Sequence, residues 1–233
     1  VDHYEKDSEV FDYFQIPDDP ATIHENRRLH EFVLSKVADS ADSILDIGCG
    51  NGWVARHFSK RNKNIVSFDI SLDNIQRVLK ENPSPNHYGV KGDVLTLPFI
   101  EESFDLVISA EVVEHVPNTA LYIANIVTVL KNGGRAIIST PYNEKLQYSL
   151  CIHCNRSTPL HAHIHSFKED SLNALVQAIP GLNIAAFTMS NKGLLFLRTH
   201  KVLKYLPFSL WRFIDRVANK IINKPSRLVY VLD

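Results

Sequence analysis

The stretch that most constrains this chain is Ile44–Trp53, reading I-L-D-I-G-C-G-N-G-W. A short apolar run, Ile44–Ile47, ends in glycines at alternate positions, Gly48, Gly50 and Gly52. Glycines at a strand exit let the backbone turn through positive φ and let a ligand approach bare main chain. Asp46 lies inside the apolar run, two residues before the first glycine. A buried strand does not normally carry a carboxylate unless that group has a partner or a task. A helix opening near Gly52–Val54 would point its free N–H groups into the same space. The third glycine comes one position too early for the G-x-G-x-x-G of a dinucleotide-binding turn. Strand, turn and helix here imply a parallel α/β sheet with a ligand at its carboxyl edge.

Composition bounds the rest. At 233 residues, 45% hydrophobic and 22% charged, the chain suits one sizeable α/β domain with elaborations. A net charge of −1 creates no field that would draw it to nucleic acid, and no such partner is expected. No apolar run reaches the roughly 18 residues that span a bilayer. The opening V-D-H-Y-E-K-D-S-E has neither a basic nor an apolar signal region, and three cysteines suit a reducing compartment. The expected location is cytoplasmic.

Scattered aromatics (Tyr4, Phe11, Tyr13, Phe14) precede Asp19-Pro20, an N-cap followed by proline at the first helical position. A helix is expected from about Pro20 to Ala38, either as a lid (segment 1–40) or packed on the sheet. Strand one, Ser43–Ile47, leads through the glycine turn to a helix ending near Arg61. Strand two is Asn64–Phe68, closed by Asp69; Ser71 caps a helix over Leu72–Glu81. Asp69 follows Asp46 by 23 positions, where a doubly wound sheet places an acid for ribose hydroxyls. Strand three is His87–Val90 and strand four Ser103–Ser109. A helix from Pro117-Asn118 to about Leu130 is expected to end on an Asn132-Gly133-Gly134 cap before strand five, Arg135–Thr140.

In this order, five segments resemble the successive motifs of class I S-adenosylmethionine-dependent methyltransferases. They are D-I-G-C-G-N-G, F-D-I-S, G-D-V, F-D-L-V with E-V-V-E-H-V-P, and L-K-N-G-G-R-A-I-I-S-T-P, covering roughly residues 40–141. Asn132 stands where the last motif usually has proline. E-x-x-E-H-V-P is similar to small-molecule members, quinone-biosynthesis O-methyltransferases among them. The resemblance implies a Rossmann-like α/β fold with helices on both faces of a seven-stranded sheet, order 3-2-1-4-5-7-6 with strand 7 antiparallel. It implies S-adenosyl-L-methionine as cofactor, held by Asp46, Gly48, Cys49 and Gly50, by Asp69 and Ile70 at the ribose, and by Asp93 and Val94 at the adenine. Ala110 and Glu111 would border methyl donor and acceptor together.

Two insertions elaborate the domain over 41–233. Residues 142–165 gather Cys151, Cys154, His161, His163 and His165. Cys151-x2-Cys154 has metal-ligand spacing, and with His161 and His163 could complete a structural zinc site. The same histidines resemble a metal-free family segment, H-x-x-x-[FY]-[ST]-x-x-x-L, that faces substrate. A helix from Ser166 or Asp170 to about Ile179 should precede strand six, Asn183–Met189; Arg227–Leu232 would be strand seven. Between them, 191–225 reads as two helical pieces divided by Pro207, with Leu210, Phe213, Ile214, Val217, Ile221 and Ile222 at helical spacing in a stripe bordered by Trp211, Arg212, Arg216 and Lys220. This basic segment, 200–222 in particular, fits a packed edge, a homodimer contact or an anionic membrane surface.

The expected reaction is methyl transfer to a small or lipophilic acceptor, with O-methylation drawing on His115, His163 or His165 as the base. His115 could equally be a packed helix-start residue. The competing functions are an RNA or protein methyltransferase, which lacks support from any N/D-P-P-Y/F tetrad, and a non-catalytic scaffold using the Cys/His insertion.

Overall fold

The computed structural model describes Lys6, residues 10–177 and residues 179–233. Tyr4 and Ala178 therefore lie outside the described residues, as does most of the first nine.

Strand β1, Ser43–Ile47, is the centre of the sheet. It pairs in parallel with β2, Asn64–Asp69, on one side and β4, Phe104–Ala110, on the other. Ile44, Leu45 and Ile47 are wholly buried, as expected of a strand covered on both faces and written as a continuous apolar run. β3, His87–Lys91, extends the sheet beyond β2. β5, Leu130–Pro141, follows β4, and β9, Pro225–Leu232, runs antiparallel between β5 and β8, Ile184–Asn191. The order β3-β2-β1-β4-β5-β9-β8 is the expected one, once a two-stranded hairpin inside the first insertion is numbered in. That hairpin pairs β6, Tyr148–Leu150, with β7, Ser157–Pro159.

Helices fill both faces. Asp19 accepts hydrogen bonds from the Ala21 and Thr22 N–H groups and starts α1, Pro20–Leu34. α1 is shorter than expected, because Ser35 closes it. It buries Leu29, Phe32 and Val33 against Ile44, Ile65 and Ile108, so it forms core on one face. α2, Trp53–Phe58, and α3, Leu72–Glu81, follow β1 and β2. On the opposite face α4, Thr119–Val129, packs Tyr122, Ile123 and Ile126 over Leu45 and Ile47. α4 passes directly into β5, without the expected glycine cap. Gly133, at φ +76°, instead sits in a bulge where the register shifts between Phe104 and Leu106. After the hairpin the regular helix is short, α5, Asn173–Gln177, and β8 begins one residue later and ends two later than expected.

The second insertion departs most from its expected form. It holds three helices, α6 (Lys192–Phe196), α7 (His200–Leu203) and α8 (Phe208–Ile221), with Pro207 at the start of α8. The apolar stripe of α8 faces out: Leu210, Phe213, Val217, Ile221 and Ile222 are exposed. The buried side of α8 carries Trp211, Arg212 and Asp215. Asp215 accepts the Asn191 N–H at 2.8 Å and pairs with Arg212 at 2.9 Å. Arg212 also donates to the Thr188 carbonyl at 3.0 Å and lies over the Phe32 ring. A desolvated ion pair tied to β8 cannot turn outward without leaving the buried Asn191 N–H unpaired, and that constraint outweighs the stripe.

Asp105, of the F-D-L-V segment, ties the amino ends of β1 and β4 together. It accepts the Asp42 and Ser43 N–H groups, the Ser43 hydroxyl and the Lys131 ammonium, all between 2.8 and 3.0 Å. Partial burial pushes its carboxyl up, but these donors win and hold it well below the usual carboxylate range. A depressed folded pKa gives stability that is complete above the unfolded value, ~3.9, and fades as pH falls below it. Asp105→Asn should therefore cost about 1–2 kcal/mol in urea unfolding near neutral pH. The difference from wild type should shrink below pH ~4; a difference unchanged by acid would refute this role.

Candidate active site at the carboxyl edge of the sheet

Gly48, Gly50 and Gly52 all adopt positive φ, at +68°, +44° and +68°. At Gly48 a Cβ would lie 2.4 Å from Val112 Cγ2, so the turn is pressed against the loop after β4. The Gly48 N–H donates to the Phe68 carbonyl at 2.8 Å, which joins the turn to the end of β2. Asp69, the next residue along β2, accepts the Gly50 N–H at 3.1 Å and the Ser71 N–H at 2.9 Å. One carboxylate thus holds both the glycine turn and the start of α3. Burial nevertheless pushes its carboxyl upward. Asp46 lies behind, 2% exposed, with Oδ2 lacking a donor. Burial, then the charge of Asp69, raises its carboxyl well above the ordinary range. Burial also pushes the Cys49 thiol upward.

Above these strand ends opens a cavity of about 600 Å³. One part of its wall is Gly48, Gly50, Asp69, Ile70, Asp93 and Val94, all expected at the cofactor. Asp93 folds its own turn, accepting the Leu95 N–H at 2.9 Å. A Cβ on the preceding Gly92 would strike the Phe68 ring at 2.8 Å. Asp46, Cys49 and Ala110 are set behind this wall. Phe11 and Tyr13 also line the cavity. Their segment is anchored by Asp12–Arg77 at 2.8 Å and by Arg77 over the Phe14 ring. Any covering role therefore belongs to residues before α1, whereas α1 itself is core.

The other end of the cavity gathers acids and imidazoles. Glu111 takes φ +58° and donates its N–H to Ser139 O at 3.0 Å. Its carboxylate accepts from the Ser139 hydroxyl and pairs closely with Arg227. The Glu111 charge pushes the Arg227 guanidinium up. Glu114 is 1% exposed, and neither of its oxygens has a hydrogen-bond donor. Burial, then the charge of Glu111, pushes its carboxyl far up; the Arg227 charge relieves this less. His115 Nδ1 lies 3.2 Å from the Ala162 carbonyl, and its ring centroid is 4.8 Å from that of His163. His163 Nδ1 lies 2.5 Å from Glu144 Oε2. His161 and Ala162 both have positive φ, which bends the insertion over the cavity.

The structure thus brings His115 and His163 together but not His165. The His165 ring packs on Phe167, its backbone N–H donates to the Glu114 carbonyl, and it is not among the residues lining the cavity. The expected zinc set, Cys151, Cys154, His161 and His163, is not assembled either. The cysteines lie in the turn of the β6–β7 hairpin and the histidines beyond its base, about 10 Å of strand away. Among the described residues the group gathered closely enough for a metal is Glu114, His115 and His163. Glu114 was legible in E-x-x-E-H beside His115. Glu144 and Arg227 carry no local signal, being far along the chain from Glu111.

The residues fit S-adenosylmethionine. Two carboxylates on adjacent strand ends suit ribose and adenine donors, and the Gly48 turn leaves main chain bare where a Cβ could not stand.

Residues 45–138 match the model of a methyltransferase domain. The ubiquinone biosynthesis O-methyltransferase of Rickettsia felis is 34% identical over 134 residues, covering 52% of this chain and 52% of that protein. Its counterpart in Rickettsia conorii is 37% identical over 116 residues, covering 47% of this chain and 38% of that protein. The chain thus spans about half the length, or less, of these curated relatives. Among solved structures, an S-adenosylmethionine dependent methyltransferase from Mesorhizobium loti matches with TM-score 0.64 at 16% identity, over 90% of this chain and 99% of that one. Phosphoethanolamine N-methyltransferase 2 of Haemonchus contortus, in complex with S-adenosyl-L-methionine, matches with TM-score 0.62 at 15% identity, over 89% of this chain and 52% of that one. At such identities these two likenesses speak for the fold alone. The glycine turn and the acids at adjacent strand ends fall within or beside the matched residues, and the stretch 45–138 is a methyltransferase domain of the class I S-adenosylmethionine-dependent kind.

Proposed function

We propose that the chain transfers a methyl group from S-adenosylmethionine to a hydroxyl of a small, lipophilic acceptor. The observation that carries this is the two-ended cavity, with main chain and carboxylates at one end and an imidazole–carboxylate cluster at the other. The sulfonium methyl supplies the electrophile when the cofactor is bound. Asp69 and Ile70 would meet the ribose, Asp93 and Val94 the adenine, and Gly48 and Gly50 the main-chain-contacting part. The protein's remaining tasks are to align the acceptor oxygen, exclude water and remove the hydroxyl proton.

The histidines are oriented for the last task. A carbonyl can only accept, so His115 Nδ1 carries the hydrogen towards Ala162 and its Nε2 keeps the lone pair. The same holds for neutral His163, whose Nδ1–H faces Glu144. The curated relatives named as ubiquinone biosynthesis O-methyltransferases support an oxygen acceptor, and the apolar rim of Phe11, Tyr13, Val112 and Leu160 supports a lipophilic one. A scaffold without catalysis has less in its favour, since the acids at the three strand ends are intact. In calorimetry the protein should bind S-adenosylhomocysteine, and Asp69→Asn should weaken binding about 10–100-fold. Gly48→Ala, strained at φ +68° and overlapping Val112, should weaken it at least as much. Failure of the wild-type protein to bind would remove the proposal.

A lipophilic acceptor agrees with the surface of α6–α8. Phe196, Leu197, Val202, Tyr205, Phe213 and Ile221 are each more than 60% exposed. Exposed Lys192, Arg198, Lys201, Lys204, Arg216, Lys220 and Lys224 surround them. The one acid between 192 and 224, Asp215, is buried and paired with Arg212. Apolar side chains ringed by cations without surface acids suit an anionic bilayer, where stems and rings enter the interface and charges meet headgroups. The protein should co-float with phosphatidylglycerol vesicles at low salt, and Lys201→Glu with Lys204→Glu should abolish this. No flotation of the wild type, or a dimer in sedimentation that hides this face, would refute membrane docking.

A further inference from the structure

We propose that Cys151 and Cys154 form a thiol–disulfide modification site open to hydroperoxides, with Cys151 as the attacking thiol and Cys154 as the resolving one. The pair lies in the turn of the β6–β7 hairpin, and neither residue lines the cavity. The inference is therefore independent of the methyl-transfer reading.

The turn brings the two side chains together. The Asn155 N–H donates to the Cys151 carbonyl at 2.9 Å, which winds the chain into one helical turn, and Asn155 leaves that turn at φ +52°. The Cys151 N–H donates to the Arg156 carbonyl at 3.0 Å and closes the loop over the hairpin ladder, whose last pair is Leu150 with Ser157. The first and fourth residues of one helical turn stand about 5 Å apart at Cα, inside the ~4.4–6.8 Å that a disulfide spans. Cys151 Sγ accepts the main-chain N–H groups of Cys154 and His153, and it also accepts the Cys154 thiol.

These donors favour a charged sulfur. The Cys154 N–H, then the His153 N–H, then the Cys154 thiol hold the Cys151 thiol below its ordinary range, which enlarges its thiolate fraction. Access is open as well, since Cys154 is exposed and Cys151 half-buried. Cys49 is the contrast within the same chain. It is buried, and burial pushes its thiol up, as befits a small hydrophobe. Among the described residues no third His, Cys, Asp or Glu atom joins the pair at metal-ligand distance, so the turn presents a dithiol.

The reaction takes its oxidising power from the peroxide. The Cys151 thiolate attacks a peroxide oxygen: an S–O bond forms, the O–O bond breaks, and the departing oxygen takes a proton and leaves as water, or as an alcohol from an alkyl hydroperoxide. Cys154 sulfur then attacks the sulfenic sulfur. An S–S bond forms, the S–O bond breaks, and the hydroxide leaves with the Cys154 proton as water. The sulfur pair loses two electrons, and the peroxide gains them.

The test uses the full chain, reduced, stripped of metal and freed of reductant, then treated with hydrogen peroxide and read by alkylation and peptide mass spectrometry. Cys151 and Cys154 should be lost together as one intrachain disulfide that dithiothreitol reverses, while Cys49 stays alkylatable after unfolding. In Cys154→Ser, Cys151 should accumulate as a sulfenic acid that dimedone traps. In Cys151→Ser, oxidation of Cys154 should slow about 10-fold or more. Both substitutions fall in a surface turn, and circular dichroism matching the wild type shows that the variants fold. Disulfides that join two chains, undiminished oxidation of Cys154 in Cys151→Ser, or oxidation of Cys49 ahead of the pair would overturn the proposal. So would a metal ion found to be held by both thiols in the purified protein.

Discussion

Everything at the carboxyl edge depends on how closely the turn after β1 approaches its neighbours. Gly48 hydrogen-bonds to Phe68 at the end of β2 and leaves no space for a Cβ beside Val112 in the loop after β4. A single turn therefore sets the distance between the two strands that flank β1. Asp69 completes the lock by accepting from Gly50 on one side and Ser71 on the other. These contacts are short, local and mostly main chain, so they hold the cavity walls without help from the cofactor. A pocket preformed in this way loses little conformational entropy when a ligand enters.

The same edge concentrates negative charge. Asp46, Asp69, Glu111 and Glu114 are each buried or partly buried within a short reach of the strand ends, and the fold treats each differently. Asp69 is relieved by two backbone donors, Glu111 by Arg227, while Asp46 and Glu114 lack donors on at least one oxygen. Burial makes the charged form costly, so a cation arriving in the cavity acts in the opposite direction and favours ionisation. The positive charge of a bound sulfonium would act in that direction on the acids at this edge.

The sheet was legible because its middle strands are buried on both faces and so appear as short apolar runs punctuated by glycine, proline and acid. The cofactor end was legible for the same reason: its residues sit within a few positions of those runs, at Gly48, Asp69 and Asp93. The acceptor end was only half legible. His115 and Glu114 are adjacent in sequence, but their partners, Glu144, His163 and Arg227, arrive from the insertion and from β9, and no periodicity links them. Cys151 and Cys154 misled because spacing along a chain does not say which end of a hairpin a residue occupies. The rotation of α8 was not legible, for an energetic reason. Its apolar stripe would bury against almost any surface, but Asp215 and Arg212 can be buried only with each other and the end of β8, so the more demanding pair set the rotation of the helix.

The outward face of α8 bears on how the proposed acceptor would reach the cavity. Burial of Trp211 against α1, with Arg28 over its ring, spends the helix's largest aromatic on the core and leaves the smaller apolar residues on the surface. A chain that exposes Phe213 and Ile221 while burying an ion pair has not minimised its exposed apolar area. Patches of this kind are maintained where something else covers them. With cations around the patch and an apolar rim at the cavity, the proposed lipophilic acceptor would meet apolar side chains both at the surface and at the site.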